Sequence, residues 1–447
     1  MRVAVIGAGV IGVTSAWELT RDGHEVTVFE RRGSVASETS FANAGVIAPG
    51  YITPWAAPGM PAKVLKHLLG RHAAVRVNRR LDLATLRWLL QWRRACGAES
   101  YAANRLRLLR LARYSRTRLH AITREQALDY ERGEGYLVLL RNDRDLALAR
   151  PGLALLAETG TRFSLIDAAR CRQIEPGLNA ETALLAGIHL PDDEVGNCRQ
   201  FTTLLRGEAQ RHGAQFVFHS EVRAIHAGAQ PEVEHAHAPP EESTLLAAVA
   251  EGERNEGPLT QPMPFEVRRE RFDAVVVCAA LGARALLRPL GLRLPLAAVW
   301  GYSITAPLRR IEAHPDIGPR SGVMDERYKV AISRLGQRLR VAGSAEIGGR
   351  AERINSAALD TLYKVLDDWF PGVVQVGQVQ VWKGARPMLP DGPPVLGASG
   401  APGVWLNLGH GSSGWALACG SARVVADAVS GRAAAIDVEG LDVSRLR

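Results

Sequence analysis

Hydrophobic and polar positions divide this chain into short apolar strands and longer amphipathic helices. It opens on an apolar strand, Val3 to Ile6, followed by a helical pattern from about Val10 to Arg21 and a second strand, Glu25 to Phe29. Gly23 stands where a helix C-cap belongs. A strand pattern returns over Gly135–Arg141, and a helix follows to about Glu158. Leu190–Cys198 carries Pro191, Asp192 and Asp193 and reads as a turn-rich loop. It leads into a helix from Arg199 to His212 and a strand from Phe216 to Ile225. Phe272–Gly282, apolar throughout except for Asp273, ends in small residues and has the pattern of a strand buried on both faces. Strand-like pieces at Trp300–Thr305 and Lys329–Ile332 suit an antiparallel sheet in a second domain. Leu359, Leu362, Val365, Leu366 and Trp369 share one helical face. Trp382–Gly392 reads as a loop holding an isolated Arg386, and Val404–Trp415 as a strand, a glycine-rich turn and the start of a helix to about Val429.

These alternations predict an α/β protein: a Rossmann-like domain interleaved with a substrate domain built on a mixed or antiparallel sheet. The expected layout alternates between the two. Residues 1–60, 191–290 and 381–447 form the first, and 136–190 and 291–380 the second, with a basic helical region at 61–135 between them. Residues 227–270 hold nine glutamates, three arginines and six prolines and are expected to be an insertion or long loop.

The opening stretch carries specific chemistry. Gly7, Gly9 and Gly12 have the spacing G-x-G-x-x-G, placed between a strand and a helix, and Glu30 ends the second strand. This is the dinucleotide fingerprint in its full context. Gly7 permits the tight turn, Gly9 lets backbone approach a pyrophosphate, and Gly12 lets helix and strand pack closely. Val10 and Ile11 begin the helix, whose free N–H groups favour phosphate. Glu30 can accept from ribose hydroxyls, with Arg31 beside it. Ser40, Asn43, Ala44 and Gly45 lie in a small-residue stretch able to wrap closely around a ligand. Gly282 ends the apolar strand against the same ligand. Gly409, His410, Gly411, Ser412, Ser413 and Gly414 repeat the device of strand, glycines and helix N-terminus.

Charge is uneven along the chain. Residues 63–124 hold sixteen Lys/Arg against two acids, more than the whole-chain excess of +9. Leu83, Leu86, Leu89 and Leu90 form an apolar stripe there with Trp88 and Trp92 beside it, and arginines 105, 107, 110, 113, 116 and 118 interleave with leucines. The region reads either as a solvated arginine-rich face or as a surface docking an anionic membrane or an electron carrier. No nucleic-acid motif is present, so a nucleic-acid partner is not expected. The five cysteines are scattered and odd in number, which argues against a disulfide framework and structural zinc and fits a reducing compartment. His235 and His237 lack a third ligand and are read as part of a solvated loop; no metal is expected. No apolar run is long enough to span a bilayer.

Val5–Gly12, Glu38–Gly45, Pro49–Pro61, Asp325–Ala331, Ala385–Gly392 and Asn407–Gly414 together resemble the D-amino-acid dehydrogenase small-subunit family, within the wider glycine-oxidase and D-amino-acid-oxidase group. Residues 227–270 are longer than that branch suggests, and Cys278–Arg284 differs from its usual run. The resemblance implies non-covalent FAD. It also implies oxidative deamination of D-amino acids to 2-oxo acids and ammonia, by hydride transfer from substrate Cα to flavin N5. Electrons would pass to a respiratory-chain acceptor, and the protein would be cytoplasmic or peripheral on the inner face of the cytoplasmic membrane. Arg386 matches the family's arginine-proline loop and is the expected carboxylate clamp. Tyr328 is expected to assist it, Tyr51 and Trp55 to wall the side-chain pocket, and His410 to lie at the flavin ring. The alternatives are an amine oxidase using O2, a D-hydroxyproline or secondary-amine dehydrogenase, and a non-catalytic flavin-binding docking subunit.

Overall fold

The computed structural model describes residues 1–67, 72–78, 81–237, 266–309 and 317–446. Two sheets organise them. The first has six strands in the order Val395–Ala398, Val404–Leu408, Ala274–Val277, Arg2–Ile6, Glu25–Phe29 and Gln215–Val217. Its five inner and distal strands pair in parallel, and Val395–Ala398 adds an antiparallel edge. Val3, Val5, Val26, Val28, Val275 and Val276 are sealed from water, as strands covered on both faces require. Helices Val10–Arg21, Cys198–Arg211 and Gly414–Val429 cover one face, and Ile225, Val233, Leu286 and Leu287 pack against the other.

The second sheet has ten strands and is mostly antiparallel. From one edge it runs Gln380–Met388, Ala297–Pro307, Arg338–Ile347, Val330–Leu335, Gly322–Asp325, Gly133–Leu140 and Ala186–Val195. Helix Ser356–Trp369 covers one face through Leu362, Val365, Leu366 and Trp369. A small antiparallel sheet, Ser220–His226, Glu232–His237 and Val267–Arg271, sits between two strands of the first.

Four expectations change. Leu190–Cys198 is largely strand, because pairing steps from Glu134–Glu194 to Tyr136–Leu190 and leaves Pro191–Asp193 as a bulge. Pro191 there has no ladder bond to lose. Arg386 lies on an edge strand, Gln380–Met388, and not in a loop. Edge position tolerates Pro387, whose missing N–H would break a central ladder. The described ends of 227–270 are strands, and His235 is buried, bonded to Ser220 Oγ at 2.8 Å and Glu270 at 3.0 Å. Its solvated-loop reading is therefore wrong, while 238–265 lie outside the described residues. No cluster of metal-ligating side chains occurs among the described residues.

The leucine stripe is the fourth. Helix Leu83–Ala95 turns Trp88 and Trp92 inward, at 2% and 5% exposure, and leaves Leu83, Leu86 and Leu90 at 73%, 43% and 59%. The indoles win the core because they bury more apolar area, and Trp88 Nε1 also donates to the Met388 carbonyl at 3.0 Å. The next helix, Ala98–Glu125, packs Leu108, Leu111, Ala112, Leu119 and Ile122 against the first-sheet helices. Ser115 touches Gly420 so closely that a Cβ there would lie 2.8 Å from it. No helix among the described residues is long and apolar enough to cross a membrane.

Candidate active site

A cavity of about 1870 Å3 runs from the first sheet's glycine turns to the floor of the second sheet. It is larger than the roughly 300–1,000 Å3 of a typical small-ligand pocket. Of the sequence-predicted residues, Gly7, Gly9, Val10, Ile11, Glu30, Arg31, Ser40, Asn43, Ala44, Gly45, Gly282 and residues 409–414 line it. Arg386, Tyr328, Tyr51 and Trp55 line it too. Gly12 does not. A Cβ at Gly12 would lie 1.8 Å from the Gly7 carbonyl, so its role is close packing of helix on strand.

The glycine turn is built as the fingerprint requires. Gly7 has φ +100°, a left-handed conformation that favours glycine. Ser40 Oγ caps Val10 N at 3.1 Å. The Glu30 carboxylate accepts from Ala8 N at 2.7 Å and from Arg32 N at 2.8 Å. Burial raises its pKa, and these two N–H donors oppose the rise. Beneath the turn, Asn407 Nδ2 donates to Ser15 Oγ at 2.9 Å, while buried Asn407 Oδ1 has no partner.

At the other end lies Arg386. Its strand is separated from Arg338–Ile347 by Ala297–Pro307, and Gly301 on that middle strand provides the gap. A Cβ on Gly301 would fall 2.3–2.8 Å from the guanidinium. The side chain crosses this gap, and Nη1 donates to the Ser344 carbonyl at 2.9 Å and the Trp300 carbonyl at 3.4 Å. Nε and Nη2 have no acceptor among the described residues, and no carboxylate there pairs with the group. Protein surrounds Arg386, and the surface it keeps opens onto the cavity. Burial lowers its pKa to about 10, so it is a cation at neutral pH. Asp391, its nearest acid in sequence, pairs with Arg445 at 2.8 Å instead.

The remaining predicted residues divide. Tyr51 donates to Glu326 at 2.7 Å and accepts from Lys329 at 2.9 Å. Burial, then the Glu326 charge, pushes its pKa far up, so the phenol stays neutral. Trp55 lies 6.2 Å from Trp92, ring to ring. The Tyr328 ring stands under Arg141 and meets His72 edge-on. His410 is buried, and its Nε2 bonds Ser421 Oγ on the following helix at 3.0 Å. Burial drives its pKa to about 3, so it is neutral and holds turn to helix. Sequence reasoning missed Gly301 and Ser344, which only the fold brings to the cavity, and did not single out Asn407, Glu326 and Lys329 inside the stretches Asn407–Gly414 and Asp325–Ala331.

The comparisons with known proteins decide the family. The model of the family described as FAD dependent oxidoreductase matches residues 2–428. The chain belongs to that family. A protein from Rhizorhabdus wittichii, named D-amino acid dehydrogenase, is 42% identical over 451 residues, covering 100% of both chains. One of the same name from Agrobacterium fabrum is 40% identical, covering 100% of this chain and 99% of its own. Among solved structures, glycine oxidase from Geobacillus kaustophilus superimposes with a TM-score of 0.72 at 18% identity, over 99% of each chain. L-proline dehydrogenase from P. horikoshii gives 0.68 at 18% identity, over 100% of this chain and 97% of its own.

This oxidoreductase uses FAD, and its residues fit the group. The glycine turn and its helix N-terminus suit the pyrophosphate, Glu30 the ribose hydroxyls, and Ser40–Gly45 with residues 409–414 the remainder. The unpartnered Asn407 Oδ1 in the cavity wall is a further polar atom available to it. The FAD-binding fold is that of the glycine-oxidase-like structures.

Proposed function

We propose that this enzyme oxidatively deaminates D-amino acids, with Arg386 holding the substrate carboxylate. The observation that carries this reading is a deep cation with two free donor nitrogens, Nε and Nη2, and no paired acid among the described residues. An unpaired buried charge is costly, and a bound carboxylate offsets that cost with two parallel hydrogen bonds. Full-length relatives at about 40% identity named for this activity support it. When bound, FAD supplies the two-electron oxidation of the substrate's C–N bond, and hydrolysis of the imine gives the 2-oxo acid and ammonia. The chain binds and orients. Arg386 fixes one end of the substrate. Tyr51 and Trp55, which line the same cavity, would wall the pocket for its side chain. Tyr328 is a second donor candidate for the carboxylate. His410 supports the turn through its ring, and backbone N–H groups of the turn would stabilise negative charge developing on the bound flavin. The experiment is anaerobic mixing with a panel of D- and L-amino acids. Bleaching of the flavin band by D-isomers is expected; bleaching by L-isomers alone, or by none, refutes the reading.

The acceptor in this proposal is a respiratory-chain carrier at an anionic membrane. Its support is the exposed face of helix Leu83–Ala95, where Leu83, Leu86 and Leu90 lie beside Arg87 and Arg94. The arginines of Ala98–Glu125 support it less, because internal partners hold them. Salt-sensitive binding to anionic vesicles, lost on Leu86→Glu/Leu90→Glu, is expected; equal binding by that variant contradicts it.

A further inference from the structure

Ser344 is the strangest residue at the cavity. It lies on Arg338–Ile347 with φ +55°, a left-handed conformation that costs a residue bearing a Cβ. Pairing with Ala297–Pro307 slips there, from Trp300–Glu346 to Tyr302–Gly343, so the strand bulges by one residue. Glycine stands one position earlier, at Gly343, yet serine holds the strained place. The bulge turns the Ser344 carbonyl onto Arg386 Nη1 at 2.9 Å. The side chain is buried, the residue lines the cavity, and its Oγ has no hydrogen-bond partner. Strain and an unpartnered hydroxyl in one residue cluster at ligand sites, where a bound group relieves the second.

We propose that Ser344 is a second substrate-binding residue, its hydroxyl donating to the carboxylate that Arg386 holds. The inference rests on the Arg386 reading. The carbonyl of Ser344 fixes Nη1, which leaves Nη2 and Nε for the ligand. The hydroxyl of the same residue then supplies a third donor to the same anion. Together they fix the carboxylate plane by direction as well as by charge.

Two variants test it in the FAD-loaded enzyme. Ser344→Ala removes the hydroxyl and keeps the strain. Ser344→Gly removes the hydroxyl and relieves the strain, so it folds at least as well as the parent. Both are expected to raise KM for a D-amino acid roughly 10- to 100-fold, as loss of a hydrogen bond to a charged group does, with kcat within about threefold. The Kd of benzoate, read from the flavin visible band, should weaken in parallel. A purely backbone role predicts wild-type KM and Kd in Ser344→Gly, and that result overturns the proposal. Arg386→Met separates the two failures. If it leaves KM unchanged, the clamp itself is wrong; if it raises KM while both Ser344 variants behave as wild type, only the Ser344 assignment fails.

Discussion

Arg386 and the arginines of helix Ala98–Glu125 are the same residue type in opposite circumstances. On the helix, Arg118 chelates Glu18 at 2.7 and 2.9 Å, Arg110 meets Asp437, and Arg107 meets Asn104. Arg113 donates to the Thr159 carbonyl and Thr161, Arg116 to the Asp192 carbonyl, and Arg105 to Tyr101. Their charge joins the helix to the rest of the fold. Among the described residues Arg386 has only backbone carbonyls, on one nitrogen, and the cavity lies before the others. A count of basic residues points to the helix as the functional feature. Partner bookkeeping points to one arginine elsewhere.

The comparison breaks first at Arg386. Arg386→Met should raise KM for D-amino acids by about 30- to 1000-fold, equivalent to roughly 2–4 kcal/mol of lost pairing, with little change in melting temperature. The contrasting variant is Glu18→Gln. Glu18 also accepts from Arg423 at 2.8 Å and is almost fully buried. Its loss should cost about 2–4 kcal/mol in urea unfolding and leave KM unchanged, because Arg118 then lacks its acid and Arg423 keeps only Asp22 and Asp427. A KM effect from Glu18 as large as that from Arg386 would erase the distinction.

Asp193 sharpens the same point from the acidic side. It holds Gly50 N at 3.1 Å, has Arg116 only at 3.8 Å, and is pushed by burial up to about 7. Its folded pKa exceeds its unfolded value, so the native state keeps an extra proton between about pH 4 and 7. Stability therefore falls as pH rises through that window. Asp193→Asn keeps an acceptor for Gly50 and cannot ionise. It should match the parent near pH 4 and exceed it by about 1–3 kcal/mol at pH 8 in thermal unfolding. An identical pH profile for both proteins would contradict this. The smallest effect belongs to Arg110→Ala, whose exposed pair with Asp437 should be worth at most about 1 kcal/mol and nothing in KM.

How much of this was readable depends on range along the chain. The Gly7–Glu30 unit was legible because every part sits within one strand–helix–strand stretch, and each residue's chemistry needs its neighbour. The second turn at 409–414 was legible for the same reason. Leu190–Cys198 misled because Pro191-Asp192-Asp193 looks like a turn, and only pairing with Gly133–Leu140 shows a bulged strand. The leucine stripe misled because period alone does not say which of two apolar faces, leucine or tryptophan, meets the core. Arg386 was singled out because its Arg-Pro stretch matches the loop of the family that the chain resembles. Its setting was not legible, since Gly301 and Ser344 are 85 and 42 residues away and nothing in Ala342-Gly343-Ser344-Ala345 announces a strained bulge.

The central claim is that Arg386 binds a carboxylate. The most direct measurement is the concentration dependence of anaerobic flavin reduction by a D-amino acid and by its carboxamide, in the parent enzyme and in Arg386→Met. The account predicts that the variant loses at least about 30-fold in apparent affinity for the acid and changes little toward the amide. Equal losses toward both substrates, or no loss toward the acid, would contradict it.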